Sequence, residues 1–537
     1  MSWRRIFTWK AAGATLATTT LIVIPSTVIA YKYGQRTILQ APPEELFPHS
    51  STTKLSDLQP PRYCRDLSRV IPEFTQLGLE VVNTKPEIDH HTGNDFTTHK
   101  PLPGEVPQYI IYPKSTAQVS QILQICHRES IPVLPFSGGS SLEGHIHSTR
   151  QNLVIDTSKM SSILAINDDD LDVVVQSGVN WMDLNQALQP RGLMFGPDCG
   201  PQGLISGMIA TNASGINASR YGAMSANVIS VTAVLADGTV VKTRQRPRKS
   251  SAGYNLTNLF VGSEGTLGIV TEAVCKVYPI PKSETTVVVQ FPSIAHATNA
   301  VAQVFKSGMQ PNAVELLDGD MMHCLNYSGY TTNAWLEVPT IFFKIGGISD
   351  VVVEENIKVL NQCAKDNQGQ SFIFAKNKQE QEELFSARKN AFFAMINWGK
   401  NEIDEDVRIW VTDIAVPLSR LSSVLDQIND RIQKSPFASI ILAHAADGNS
   451  HVDIFYKHEQ RAQVELLVNE MIELGLANEG TATGEHGVGN AKRRFLESEL
   501  GADTIGMMRK LKMSLDPKRI LNPDKIFKID PDDDYEY

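Results

Sequence analysis

From residue 105 to 282 short apolar runs alternate with glycine-dense loops, and few stretches show the 3.6-residue spacing of a helix. Tyr109–Tyr112, Val133–Phe136, Leu153–Asp156, Asp172–Gln176, Val228–Leu235 and Thr239–Lys242 read as strands, being rich in β-branched and aromatic residues and bounded by turn formers. A helix is predicted from the Ser115/Thr116 cap to about Glu129, with Val119, Ile122, Leu123 and Cys126 on one face, and another over Trp181–Leu188. Asp237-Gly238 predicts a tight two-residue hairpin. Near Ser283 glycine becomes sparse and longer elements take over: strands at Thr285–Phe291 and Thr340–Ile345, helices at Ala295–Ser307 and Val351–Asp366. This is an α+β pattern rather than strict βαβ alternation.

Residues 37–104 read as a polar, proline-bearing arm or linker, with a short helix over Asp66–Leu77 and a loop at His90–Gly93. The expected division is therefore an arm at 37–104, a glycine-rich domain at 105–282, a second domain at 283–495 and a C-terminal segment at 496–537. A chain of 537 residues, 42% hydrophobic and 20% charged, exceeds what one core usually serves. Its net charge of −10 lacks the positive field that draws proteins to phosphate backbones, so no nucleic-acid partner is expected. The cysteines Cys64, Cys126, Cys199, Cys275, Cys324 and Cys363 are scattered without a Cys-x-x-Cys pair and read as buried thiols. Residues 1–36 differ from this average: Arg4, Arg5 and Lys10 precede the apolar, threonine-rich run Ala11–Ala30, and the first acid is Glu44. Such a leader reads as a mitochondrial transit peptide merging into a membrane anchor. A secretory signal cleaved after Ala30 is the rival reading, and a disordered tail the third.

Ser137-Gly138-Gly139-Ser140-Ser141 follows a strand and offers backbone N–H groups suited to a pyrophosphate, although an ordinary tight turn has the same look. Neither a Gly-x-Gly-x-x-Gly after a strand nor a P-loop is present, which disfavours Rossmann and P-loop folds. The runs Gly196-Pro197-Asp198, Gly203–Gly215, Tyr221-Gly222 and Val261–Val270 repeat the glycine-punctuated, low-charge character. In order and spacing these loops resemble the FAD domain of the vanillyl-alcohol-oxidase-type (VAO/PCMH) flavoproteins. The resemblance implies two α+β subdomains with the dinucleotide extended between them. It assigns the pyrophosphate to Ser137, Gly138, Gly139, Ser140 and Ser141, and the dinucleotide lining to Pro197, Asp198, Gly203, Ser206, Thr211, Gly215 and Tyr221. Glu264, Gly265, Gly268 and Ile269 complete the set at the far end. Members with covalently attached flavin carry histidine directly after Gly-Gly; Ser140 stands there, which implies non-covalent FAD, with His145 structural.

A second constellation lies in Ser439–Tyr456, where apolar runs flank Asp447-Gly448. A two-residue turn there would face His444 to His451 at about 5 Å and put Asn449 on the same side, so that two imidazoles can chelate one ion. Downstream, Gly484-Glu485-His486-Gly487 is a flexible loop holding an acid and a base, and Glu485 would complete an open site of two histidines and one carboxylate. Satisfied histidines in a polar hairpin remain the alternative. Asn449 can bond either to substrate or to a ligand histidine.

The order of these residues resembles the FAD-linked C-terminal domain of D-lactate and D-2-hydroxyglutarate dehydrogenases. With its basic leader, the chain is most similar to the fungal mitochondrial members. The resemblance implies an α+β substrate (cap) domain with an antiparallel sheet, a divalent metal (Zn, Mn or Fe) on His444, His451 and Glu485, and His486 as catalytic base. Arg388 matches the substrate arginine, with Arg408 a weaker candidate, and Leu515–Lys525, including Asn522, matches a segment returning to the flavin. Implied too are D-lactate as substrate, hydride transfer to flavin, cytochrome c as acceptor, and an inner-membrane location facing the intermembrane space. No haem or iron–sulfur motif is present, so an external acceptor is needed. Rival readings are D-2-hydroxyglutarate oxidation, which the resemblance disfavours because family members acting on that acid often carry extra polar residues where Ile409–Ala415 is mostly apolar, a non-catalytic FAD-binding subunit, and a flavin-free metal hydrolase.

Overall fold

The runs Tyr109–Tyr112, Val133–Phe136 and Leu153–Asp156 form strands with the bounds their hydrophobic pattern predicts, and they pair in parallel. In this computed structural model residues 50–94 and 97–533 are described. The leader at 1–36 lies outside them. The fourth strand of this sheet, Glu80–Val82, comes from the segment read as an arm and lies antiparallel to Tyr109–Tyr112. That segment is built into the body of the fold. Leu67, Val70, Phe74 and Leu79 are buried in one core with Ile111, Ile122 and Val133, and His91 is buried with Nε2 3.1 Å from Asp156 Oδ2. Its irregular apolar spacing and interrupting prolines hid this, because no periodic face announces the burial. Phe74→Ala is expected to lower stability by about 3–5 kcal/mol. A thermal unfolding midpoint checks this, since a loose linker would tolerate the change.

The second sheet has five strands in the order Ile163–Asn167, Asp172–Gln176, Ile269–Lys276, Val228–Val234, Val240–Lys242. Its central strand, Ile269–Lys276, begins where the glycine-rich run Val261–Gly268 ends, so that run is fixed between a buried strand and the helix Leu256–Phe260. The Asp237-Gly238 turn is wider than expected: Leu235 bonds through its N–H to the Thr239 carbonyl, leaving Ala236–Gly238 as the loop, with Gly238 at φ +87°.

From Ser283 onward the chain builds an eight-stranded antiparallel sheet. Its path runs through Phe372–Phe374, Ser283–Gln290, Thr340–Gly347, Ala313–Leu317, Ala438–His444, Asn449–Tyr456 and Arg408–Val411, with Ile414–Ala415 on the flank. One face buries Val289, Ile341, Leu316 and Ile454 against the helices Ile294–Lys306, Asp350–Asp366, Leu418–Gln433 and Arg461–Ala477. The opposite face packs Phe342, Leu317, Ile440 and Leu442 against Gly319–Ser328 and the long helix Lys378–Glu402. On that second face the apolar pattern breaks at one place. Register pairs Glu315 with both Phe342 and His444, so Glu315 and His444 project together among hydrophobic neighbours.

The C-terminal segment crosses back to the first sheet: Val133 donates to the Ile520 carbonyl at 2.7 Å and Asn522 donates to the Val133 carbonyl at 2.8 Å. All six cysteines are free thiols. Among the described residues no helix is long and apolar enough to cross a membrane.

Candidate active site

The hairpin that carries the two histidines closes on the pair His444–Asn449, so Ala445–Gly448 form a wider loop than the two-residue turn expected. His451 consequently lies opposite Leu442 instead of His444. Because the register moves by two residues and the pleat repeats every two, His444, Asn449 and His451 still share one face. The imidazoles are diagonal neighbours, with ring centroids 5.5 Å apart and planes at 90°.

Both rings are fixed from behind. His444 Nδ1 is 2.8 Å from Glu315 Oε1, and His451 Nδ1 donates to the Thr412 carbonyl at 2.9 Å. The Nε2 atoms therefore face outward, and both approach Glu485 Oε1, at 3.0 Å from His444 and 3.3 Å from His451. Glu485 Oε2 accepts from Ser214 Oγ at 2.6 Å and from the Gly215 N–H at 3.0 Å. One donor atom from each of His444, His451 and Glu485 falls within 4.8 Å of the others. Burial opposes charge on both partners, yet Glu315 and Glu485 outweigh it to hold His444 well above the usual histidine range. Burial likewise raises Glu485, but His444 and His451 outweigh it and hold the carboxyl well below the usual range. Two outward Nε2 atoms and a carboxylate oxygen, each held by an outer partner, fit the donor chemistry of a divalent ion.

His486 follows Glu485 in a loop suspended from Asp413, which accepts the N–H of Glu485 at 3.0 Å, the N–H of His486 at 2.8 Å and the hydroxyl of Thr483 at 2.9 Å. Asp413, His451 and His486 also converge, but Asp413 is engaged by the loop, so this set serves to hold it. The His486 ring stacks on His451, with centroids 5.0 Å apart and planes 13° from parallel. Its Nδ1 lies 3.5 Å from Glu143 Oε1 and 3.8 Å from Asp413 Oδ2, so Nε2 is the ring nitrogen not facing these carboxylates. Burial disfavours the imidazolium, but Asp413 and Glu143 outweigh it and raise the pKa. Arg388, on the helix Lys378–Glu402, donates through Nε to Glu315 Oε2 at 2.7 Å. Glu315 thus ties Arg388 to His444.

Glu315, Asp413 and Lys344 escaped the sequence reading. Lys344 lines the same cavity, with Nζ 4.3 Å from the Phe385 ring centroid. The available signal was a charged residue inside an otherwise apolar strand, as in Ala313-Val314-Glu315-Leu316-Leu317, whose five residues are all buried. A buried acid in such a run needs a partner, and here the partners are the site residues.

A cavity of about 1130 Å³ joins the two constellations. It is lined by Ser137–Ser141, Asp198, Gly203, Ser206, Thr211, Gly215, Glu264, Gly265, Gly268, Ile269 and Asn522, and also by Arg388, His444, His451, Glu485 and His486. Among the described residues, the N–H groups of Gly138, Gly139, Ser140 and Ser141 donate to no protein acceptor, and Ser141 Oγ and Asn522 Oδ1 are buried without a partner. A Cβ at Gly138 would collide with the Gln202 carbonyl, so only glycine lets the loop lie that close. Unused donors facing a large cavity fit a dinucleotide's phosphates. Four expected residues, Tyr221, Pro197, Asn449 and Arg408, stand outside the cavity wall. The Tyr221 ring packs on Tyr278 at 4.7 Å, and Pro197 follows Gly196, whose lack of a Cβ admits Tyr221. Asn449 lies behind the loop that carries Glu485 and His486, where a Cβ on Gly484 would meet its side chain at 2.5 Å. Arg408 is exposed, away from the cavity.

Residues 107–244 match the FAD binding domain family, and residues 280–526 match the family of FAD linked oxidases, C-terminal domain. The Kluyveromyces lactis protein "D-lactate dehydrogenase (cytochrome), mitochondrial" is 45% identical over 516 residues, covering 94% of this chain and 88% of that one. The Saccharomyces cerevisiae "D-lactate dehydrogenase (cytochrome) 1, mitochondrial" is 46% identical over 502 residues, covering 91% and 85%. Among solved structures, the 4-ethylphenol oxidase from Gulosibacter chungangensis superposes with a TM-score of 0.71 at 15% identity, over 88% of this chain and 99% of that one. For p-cresol methylhydroxylase the TM-score is 0.69 at 15% identity, over 89% and 100%. These likenesses establish the α+β flavoprotein fold read from the glycine loops. The chain belongs to the FAD-linked oxidase family. Within it, similarity to the mitochondrial cytochrome-type D-lactate dehydrogenases reaches across more than nine-tenths of the chain, at 94% and 91% coverage.

Proposed function

We propose that this chain oxidises D-lactate to pyruvate with FAD as the two-electron acceptor and delivers the electrons to cytochrome c. One observation carries the reading: a single cavity is walled both by the unused N–H groups of Gly138–Ser141 and by the His444, His451, Glu485 and His486 cluster. Relatives at 45% and 46% identity bear the name of this activity.

In this reading His486 Nε2 accepts the proton of the substrate hydroxyl, while Asp413 and Glu143 stabilise the imidazolium that results. Arg388 has its Nε held by Glu315 and presents its remaining N–H groups to the substrate carboxylate. Phe385 and Leu442 line the same cavity and make its wall apolar there, which favours exclusion of water from the reaction. His444, His451 and Glu485 would hold a divalent ion, whether zinc, manganese or iron, and it would supply Lewis acidity at the substrate hydroxyl. Ser137–Ser141 and Asn522 would hold FAD non-covalently, and the flavin would supply the hydride acceptor. Residues 105–282 with 496–537 would form the cofactor half and residues 283–495 the substrate half.

The relatives' names are mitochondrial, and we read the same location for this chain. Attachment to the inner membrane through residues 1–36, with the body facing the intermembrane space, is part of the proposal.

The test is anaerobic addition of D-lactate, L-lactate and D-2-hydroxyglutarate to the FAD-loaded protein. Loss of visible flavin absorbance with D-lactate alone is expected; bleaching only with another acid overturns the substrate assignment. Arg388→Lys is expected to raise KM for D-lactate by about 10- to 100-fold, because a point charge replaces a planar two-pronged donor. Steady-state kinetics at matched flavin content measure this.

A further inference from the structure

We propose that Glu264 is a positioning residue for His486, its carboxylate transmitting the arrangement of the cofactor loop to the catalytic loop. The inference rests on the function proposed above. Glu264 is buried at φ +51°, a left-handed conformation uncommon outside glycine. Such a backbone persists where its surroundings over-determine it, and here each polar group reaches a different segment. The N–H donates to the Ala210 carbonyl at 2.9 Å, and the carbonyl accepts from Asn522 Nδ2 at 2.6 Å. The side chain leaves the cofactor loop altogether. Oε1 accepts the Val488 N–H at 2.6 Å and Oε2 accepts the Gly489 N–H at 2.9 Å, with His145 Nε2 3.2 Å from Oε1.

The Glu485–Gly489 loop is thus held between two buried carboxylates. Asp413, from the substrate sheet, holds the N–H groups of Glu485 and His486; Glu264, from the cavity-lining run that ends in Gly265 and Gly268, holds those of Val488 and Gly489. The approach is close: a Cβ at Gly487 would meet Glu264 Oε1 at 2.9 Å, and Gly489 has no room for one against the Glu143 carbonyl. Anything that orders the Val261–Gly268 run therefore orders the downstream side of His486. Glutamine at 264 keeps the shape but turns an NH2 toward one of two N–H donors, so one of the two bonds is lost and a buried donor is left unpaired.

The experiment compares wild type, E264Q and E264D, each full length, by amide hydrogen exchange with and without FAD and by steady-state kinetics on D-lactate. In wild type, FAD is expected to slow exchange at Val488 and Gly489 by about tenfold or more. In E264Q those amides exchange rapidly whether or not FAD is present. Its kcat falls by about 10- to 100-fold with KM and flavin content little changed, as a small misplacement of a catalytic group requires. E264D, which keeps the charge, regains part of kcat. The proposal is overturned if E264Q keeps kcat within about twofold, or if its activity falls only in proportion to lost flavin. If E264Q does not fold, the wild-type exchange decides: no FAD-dependent protection at Val488 and Gly489 overturns it. The exchange readout needs no substrate, so failure to oxidise D-lactate would count against the functional reading and leave this test standing.

Discussion

His486→Asn is expected to lower kcat on D-lactate by about 10²- to 10⁴-fold while flavin and metal content stay at wild-type levels. The substitution removes the imidazole that the proposed mechanism uses as base and leaves the His444, His451 and Glu485 donors in place. The pH profile separates this from general damage. A base works only when unprotonated, so wild-type activity rises with pH as His486 loses its proton. In H486N that limb disappears and residual activity climbs only as hydroxide replaces the side chain. A variant that kept the wild-type limb would assign the base elsewhere.

The second large effect concerns the donors themselves. His451→Ala is expected to abolish stoichiometric metal binding and to lower kcat by more than about 100-fold, with the flavin retained, because the cavity's Ser137–Ser141 end is untouched. Glu315→Gln should be milder, costing about 10- to 100-fold in metal affinity, since it weakens the bond that orients His444 without removing a donor. Excess metal should therefore restore E315Q and leave H451A inactive, which elemental analysis beside steady-state kinetics will record. E315Q also frees Arg388 Nε, so its KM for D-lactate should stay raised at saturating metal.

Much of this architecture was written in local patterns. Short β-branched runs gave Tyr109–Tyr112, Val133–Phe136 and Leu153–Asp156 to the residue, because a buried strand is specified by its own composition and the turns that bound it. The Asp-Gly pairs marked both hairpins but not their widths: Gly238 and Gly448 take the left-handed step at the end of longer loops, at φ +87° and +74°. His444 and His451 kept a common face through that error because parity, not the exact partner, decides which side of a sheet a residue occupies.

What stayed hidden depends on contacts distant in sequence. Glu315 lies 129 residues from His444, and Glu264 lies 224 residues from Val488, so no local pattern couples them. For Glu315, an acid inside an apolar strand was the one hint. The segment before Tyr109 carries no such pattern for a related reason: its strand Glu80–Val82 is three residues long, and its burial is imposed by the sheet it joins rather than by its own periodicity. Asn449, placed on the correct face, proved to support Gly484 rather than border the cavity, a distinction that only the loop's path could make.

The account depends on flavin and metal sharing one chamber. X-ray diffraction from crystals grown with FAD and a divalent metal, recorded across the metal's absorption edge, tests this most directly. The expected result is one anomalous peak bonded by His444 Nε2, His451 Nε2 and Glu485 Oε1, with ring density in the same cavity between that peak and the Ser137–Ser141 loop. A peak at other residues, or ring density outside the cavity that holds the three donors, would contradict it.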